Sequence, residues 1–142
     1  MTGGCMCKDK RYTAKVENDE AYLCHCRMCQ QSAGNVSLAL MNLKRTDVTW
    51  EKEPDRYASS PIAQRGFCAK CGTTLTYEGN GRKNMDLTVG SFDEPGWFRC
   101  TSHSGAESVH RHWLDTTGLP ETRTEDIPHI VKAWMDTAGK MP

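Results

Sequence analysis

Polar and apolar residues alternate through much of this chain. Tyr12, Ala14 and Val16 occupy every second position with polar neighbours between them, the pattern of a strand buried on one side. Residues 21–24, 36–41, 47–50, 73–77 and 85–89 read as further strands, separated by Gly, Asn, Pro and Ser. Many short strands punctuated by turns predict a mainly β fold, a sandwich or a distorted barrel. Two stretches break the alternation. Residues 29–33 read as a short helix that stops at Gly34. Residues 124–139 read as an amphipathic C-terminal helix, because Ile127, Ile130, Val131, Trp134 and Met135 recur at helical spacing. Asp126 is its expected cap, Pro128 suits its first turn and Gly139 its end. With no internal repeat, low-complexity tract or long linker, residues 1–142 are expected to form a single domain.

Composition then narrows the function classes. Basic and acidic residues number 18 each, so no net field draws the surface toward nucleic acid or anionic lipid. No apolar run approaches the roughly 20 residues that span a bilayer. The opening Met1-Thr2-Gly3-Gly4-Cys5-Met6-Cys7 has neither the basic nor the apolar region of a secretory signal, so the expected compartment is the cytoplasm. In a reducing compartment eight cysteines read as metal ligands rather than disulfides. Their spacing agrees. Cys5-x-Cys7 and Cys24-x-Cys26 hold thiols too close for an easy internal disulfide, yet well placed to chelate one ion.

Cys68-Ala69-Lys70-Cys71-Gly72 has the form of a zinc knuckle. Two intervening residues let a tight turn aim both thiolates at one ion, and the glycine relieves crowding where backbone N–H groups approach sulfur. A structural zinc takes four ligands, so this pair needs another, for which Cys5 and Cys7 are the natural candidates. Joining them would tie the N-terminus to mid-chain and staple a small core. Cys24-His25-Cys26-Arg27-Met28-Cys29 supplies a second cluster of three thiols. Three protein ligands and an open position mark a catalytic zinc, whereas a fourth protein ligand closes the site. Cys100 could be that fourth ligand, and His25, His103, His110 or His112 could supply a nitrogen; spacing leaves both arrangements open. An open three-thiolate zinc is a poor generator of hydroxide and suits holding a substrate thiol as a nucleophilic thiolate.

Taken in order, Gly4-Cys5-x-Cys7, Cys24-His25-Cys26-x-x-Cys29-Gln30 with Gly34, and Arg65-Gly66-Phe67-Cys68-x-x-Cys71-Gly72-Thr73-x-Leu75 resemble the glutathione-dependent formaldehyde-activating enzyme family. Phe98 to His103, Trp113-Leu114 and Gly118-Leu119-Pro120 look like that family's C-terminal signature, so the resemblance spans about residues 3–120. It implies an Mss4-like fold, zinc-pinned β-sheets in a distorted sandwich with short helices. It implies two zinc ions per chain, a structural one on Cys5, Cys7, Cys68 and Cys71 and a second on Cys24, Cys26 and Cys29 that meets glutathione. The implied activity is that of a carbon–sulfur lyase, reversibly forming S-hydroxymethylglutathione or a related thiol–aldehyde adduct. The partners would then be a small thiol such as glutathione and an aldehyde, and a homo-oligomer is compatible with the reading. Two positions depart from the family's pattern: Cys100 stands where proline is common, and Lys8 where glycine is usual.

Glutathione brings two carboxylates, which makes Arg65 and Arg27 candidate substrate-binding residues. His103 is a candidate proton shuttle, histidine being the side chain that exchanges protons near neutrality. The rival reading is a non-catalytic zinc module that binds protein or nucleic acid. Balanced charge and the lack of a basic, aromatic-rich stripe weigh against nucleic acid.

Overall fold

Among the described residues, 1–141 of a computed structural model, the expected mainly β architecture consists of ten strands and two α-helices. β1 (Thr2–Gly4), β2 (Arg11–Ala14) and β5 (Val48–Trp50) form an antiparallel three-stranded sheet. A seven-stranded sheet contains β3 (Glu20–Cys24), β4 (Leu38–Lys44), β6 (Asp55–Ser60), β7 (Ala63–Phe67), β8 (Thr74–Gly79), β9 (Asn84–Thr88) and β10 (Arg99–Ser104). Its order is β10-β3-β4-β9-β8-β7-β6, antiparallel throughout except that β10 runs parallel to β3.

The two faces of the large sheet have different duties. Met41 and Leu43 of β4 and Met85 and Leu87 of β9 meet Tyr12 and Ala14 of the small sheet, with Phe92 closing this core. The Tyr12 ring stands edge-on to Trp50 and Phe92 at 5.0 and 5.4 Å, and its hydroxyl shares a 2.8 Å hydrogen bond with Ser91. Leu40, Tyr22 and Cys24 belong to the other face, where Cys29 of α1 (Arg27–Ala33) packs on them. The helix starts two residues before the expected stretch because the Cys26 sulfur caps it, accepting the Cys29 N–H; Gly34, in left-handed conformation, ends it.

By its contacts the chain divides into two compact units, Met1–His110 and the residues from Arg111 onward. The second contains α2 (Pro128–Ala138), shorter than residues 124–139, with Pro128 in its first turn and Gly139 at its end. Asp126 is not its cap. It closes a separate 3-10 turn, Thr124–Asp126, and Ile127 occupies the N-cap position without a side-chain bond to the helix. No helix among the described residues is long and apolar enough to cross a membrane.

Four strands lack the alternation that revealed the others. β1 is three residues long, and β10 is an exposed edge throughout. β6 and β7 carry Arg56 and Gln64, whose partner is the fully buried Glu78 of β8. That carboxylate accepts from Arg45 Nη1 at 2.7 Å, Thr76 Oγ1 at 2.8 Å, Gln64 Nε2 at 3.2 Å and Arg56 Nε at 3.3 Å. A polar cluster thus takes the place of apolar packing at this end of the sheet.

Burial alone would raise the Glu78 pKa, but these donors outweigh it and hold the carboxyl below its ordinary value. Because the folded value lies below the unfolded one, the ionised group stabilises fully above the unfolded pKa, and the contribution is lost as pH falls through the folded pKa. Glu78→Gln is expected to cost about 3 kcal/mol at neutral pH. This is the low side for a buried ion pair, since the Arg45 and Arg56 side chains stay 34% and 32% exposed and can turn to water. Urea unfolding across the acid range should also show a flatter acid limb in the variant; an unchanged limb would assign the acid sensitivity to other groups.

Candidate functional site

Two loops of like geometry bring four thiols together. In the first, Cys5 N–H donates to Lys10 O and Lys8 N–H to Cys5 O, both at 2.9 Å. In the second, Cys68 N–H donates to Thr73 O at 3.0 Å and Gly72 N–H to Cys68 O at 2.7 Å. Each turn needs a left-handed residue after its second cysteine: Gly72 has φ 78° and Lys8 φ 63°. The sulfurs of Cys5, Cys7, Cys68 and Cys71 all lie within 4.8 Å of one another. Lys10 N–H donates to the Cys5 sulfur at 3.2 Å, and the Thr73 hydroxyl stands 3.1 Å from Met6 N and 3.2 Å from the Cys71 sulfur. A register slip between Gly66 and Phe67 makes Leu75 the extra residue of a bulge, which lets it pack on Cys5 and Cys68.

The second cluster forms where β3 gives way to α1. Cys24 ends the strand, Cys26 caps the helix and Cys29 lies one turn in, their sulfurs again within 4.8 Å. The end of β10 supports this turn. His25 N–H donates to Ser104 O at 2.8 Å, and a Cβ at Gly105, whose φ is 65°, would stand 2.7 Å from the Cys26 nitrogen. From β7, Arg65 Nη2 donates to the Cys29 sulfur at 3.4 Å. Arg65 is 6% exposed, and its guanidinium lies 5.2 Å from the centre of the Tyr77 ring.

Neither cluster can ionise fully by itself. The Thr73 hydroxyl and N–H, with the Cys7 backbone, pull the Cys71 thiol down to about 6. The Asp9 N–H favours a Cys7 thiolate, but desolvation and the neighbouring thiols push it up to about 12. In the trio, burial pushes Cys29 up to about 12 against the pull of Arg65, with Cys24 adding to the rise. Burial also opposes ionisation of Cys26, but the Cys29 N–H outweighs it and the net shift is downward. Thiols this close share protons unevenly because adjacent thiolates repel, and a bound dication removes the conflict. Four thiols at this spacing suit a closed tetrahedral zinc, and three suit a zinc with one position left over.

Register decides the residues that spacing left open. Cys100 pairs with Ala21, three residues from Cys24 and on the alternate side of the strand; it is exposed and belongs to neither thiol cluster. Histidine likewise joins neither cluster among the described residues. His103 pairs with Leu23, so it stands on the Leu23 side of the ladder, where its Nδ1 meets His25 Nε2 at 2.9 Å; Ser104 takes the Cys24 side. Arg27 is exposed beside the trio, with Nη1 on Gln30 Oε1 at 2.8 Å.

The face that carries the trio also holds residues that the sequence did not single out. Tyr57, Tyr77, Asp86 and Asn42 are these, and with the already expected Arg65, between Tyr57 and Tyr77, they form a polar row of successive cross-strand partners. A cleft of about 520 Å³ beside α1 is lined by Met28, Gln31, Tyr57, Arg65 and Thr74. Another of about 660 Å³ is lined by Asn42, Tyr77, Arg82, Lys83 and Asp86. Burial pushes the Asp86 carboxyl up, while Asn42 Nδ2 donates to it at 2.9 Å. Tyr77 meets the trio through Arg65 and Asp86 through Tyr22, contacts that strand register creates and residue spacing does not show.

A family model described as glutathione-dependent formaldehyde-activating enzyme matches residues 1–113. An uncharacterized lyase of Schizosaccharomyces pombe is 33% identical over 82 residues, 58% of this chain and 60% of that protein. The match therefore spans less than two thirds of that relative's length. A solved structure of a Rhodobacter sphaeroides protein aligns with a TM-score of 0.57 over 73% of this chain and 100% of its own, at 15% identity, a likeness of fold alone.

Two outcomes follow from the geometry. Cys68→Ser should remove one equivalent of bound zinc and the cooperative melt together, because that cluster ties residues 61 apart. Cys26→Ser should remove one equivalent and keep the melt, and Cys100→Ala should remove none; metal analysis with thermal unfolding reads all three. Separately, Lys8→Gly is expected to stabilise the metal-loaded protein by roughly 1 kcal/mol, since its left-handed backbone penalises a Cβ. A urea midpoint unmoved by that change would contradict the strain.

Proposed function

Because this chain belongs to the glutathione-dependent formaldehyde-activating enzyme family, we propose that it is a zinc-dependent carbon–sulfur lyase that reversibly joins a small thiol to an aldehyde. Glutathione and formaldehyde are the pair that the family's description names. The observation that carries the reading is the trio itself: Cys24, Cys26 and Cys29 converge without a fourth cysteine or a histidine among the described residues. A zinc ion held there would keep an incoming thiol as its thiolate at neutral pH, and so keep it nucleophilic.

The chain's own residues divide the remaining work. The cleft of about 520 Å³ between α1 and the β6–β7 edge offers space for the body of a tripeptide-sized thiol. Exposed Arg27, at the start of α1, is the partner for a substrate carboxylate. Arg65 holds positive charge against the Cys29 sulfur and offsets the negative charge that three thiolates leave on a dication. His103, on the Leu23 side of the ladder, is assigned no proton transfer at the trio.

Cobalt substitution tests the proposal. Adding glutathione to the cobalt-loaded protein should strengthen the thiolate band and change the ligand-field spectrum, in wild type and in Cys100→Ala alike. A wild-type spectrum indifferent to excess thiol would mean a closed site, and would favour the non-catalytic zinc module instead.

A further inference from the structure

Arg65 makes one contact that the reading of the trio uses and lacks another that its chemistry requires. A guanidinium presents N–H donors from both terminal nitrogens in a fixed fork, and burying it is costly unless those donors are met. Arg65 is 6% exposed, its Nη2 donates to the Cys29 sulfur, and its face lies on Tyr77. Its Nη1 is buried and has no hydrogen-bond partner among the described residues. The same side chain lines the cleft beside α1. A buried, charged donor left unmet on a side chain that lines a cleft points to a ligand acceptor.

The position of that donor says which acceptor. A carboxylate clamp uses both nitrogens of the fork in parallel, and here one is already committed to sulfur. What remains unmet is Nη1, bonded to the same carbon as the sulfur-binding nitrogen and so close to the sulfur cluster, rather than at the far ends of a bound tripeptide. In a thiol–aldehyde adduct the oxygen is two bonds from the substrate sulfur. We propose that Arg65 Nη1 binds this oxygen and stabilises the negative charge that gathers on it as the sulfur–carbon bond forms. The inference rests on the reading of the trio as the thiol site.

The step balances without an oxidant or reductant. The thiol gives its proton to solvent, and its sulfur forms a bond to the carbonyl carbon. The C=O π pair moves onto oxygen, and that oxygen takes a proton from water. Arginine does not release its proton in proteins, so Arg65 supplies a hydrogen bond and charge throughout and never the proton itself. In the reverse direction the same donor holds the oxygen as the sulfur–carbon bond breaks. Arg65 thus changes from a carboxylate clamp, the role expected from the sequence, to a catalytic residue at the reacting atoms.

The test uses the metal-loaded full chain and the variants Arg65→Ala and Arg65→Lys. Magnetisation exchange between formaldehyde and its glutathione adduct should fall about 10²–10³-fold in Arg65→Ala, and added guanidinium should restore part of it. On the cobalt-loaded protein, ethanethiol and thioacetate separate thiol binding from oxygen binding, because thioacetate carries oxygen two bonds from sulfur. Arg65→Ala removes charge beside Cys29 and should weaken both thiols, but thioacetate by roughly tenfold more than ethanethiol. If Arg65→Ala does not fold, Arg65→Lys keeps the charge, and it should show the same selective loss because one ammonium cannot serve sulfur and oxygen in the fork's geometry. An exchange rate unchanged in a folded variant, or equal loss of both thiols, would overturn the role of Arg65 alone. Wild type that responds to neither thiol would overturn the thiol-site reading, and this inference with it.

Discussion

Thiolates repel one another, and this chain crowds four within 4.8 Å in one place and three in another. Without a cation the protons distribute unevenly, with the thiol of Cys71 pulled down to about 6 and that of Cys7 pushed up to about 12. That conflict is the constraint on which the remainder of the first unit depends. Two turns with matching hydrogen bonds close around the four-thiol cluster, and one of them accepts a left-handed lysine to do so. The cluster also supplies a link that a modest core does not, joining the N-terminal loop to the turn between β7 and β8.

The large sheet then acts as a partition. Side chains on one face build the apolar core with the small sheet, and those on the other carry the trio, α1 and the polar row from Tyr57 to Asn42. Because strand residues alternate between faces, a one-residue change of register would exchange core for site. The same alternation turns Cys100 and His103 to the side away from Cys24, although both belong to the strand that runs beside it. The parallel pairing of β10 with β3 has another role: it delivers Ser104 and Gly105 to the turn that holds the trio together.

Charge distinguishes the two arginines near the trio. Arg27 is exposed and bonded to Gln30, so water screens its charge. Arg65 is buried between a sulfur and an aromatic ring, where a hydrogen bond to a charged acceptor counts for more. The two therefore differ in what they offer a ligand: Arg27 offers a solvated charge, and Arg65 a buried one beside sulfur.

By itself, the sequence determined the mainly β class, through Tyr12, Ala14 and the other alternating positions, and it marked the chelating units Cys5-x-Cys7, Cys24-x-Cys26-x-x-Cys29 and Cys68-x-x-Cys71 by their spacing. Those features are local, because a turn or a strand is set by neighbours a few residues apart. The family was legible for the same reason, its motifs being short and ordered. Only the tertiary structure decided that Cys100 stays apart from the trio, that His103 stands on the Leu23 side, and that Arg65 reaches Cys29 across 36 residues of chain. It alone exposed β6 and β7 as strands, since their facing partner is the buried carboxylate of Glu78 rather than an apolar surface. The first three depend on how segments distant in sequence come together, and the last on a buried polar cluster in place of the apolar alternation that marks a strand, so neither has a local apolar pattern to announce it.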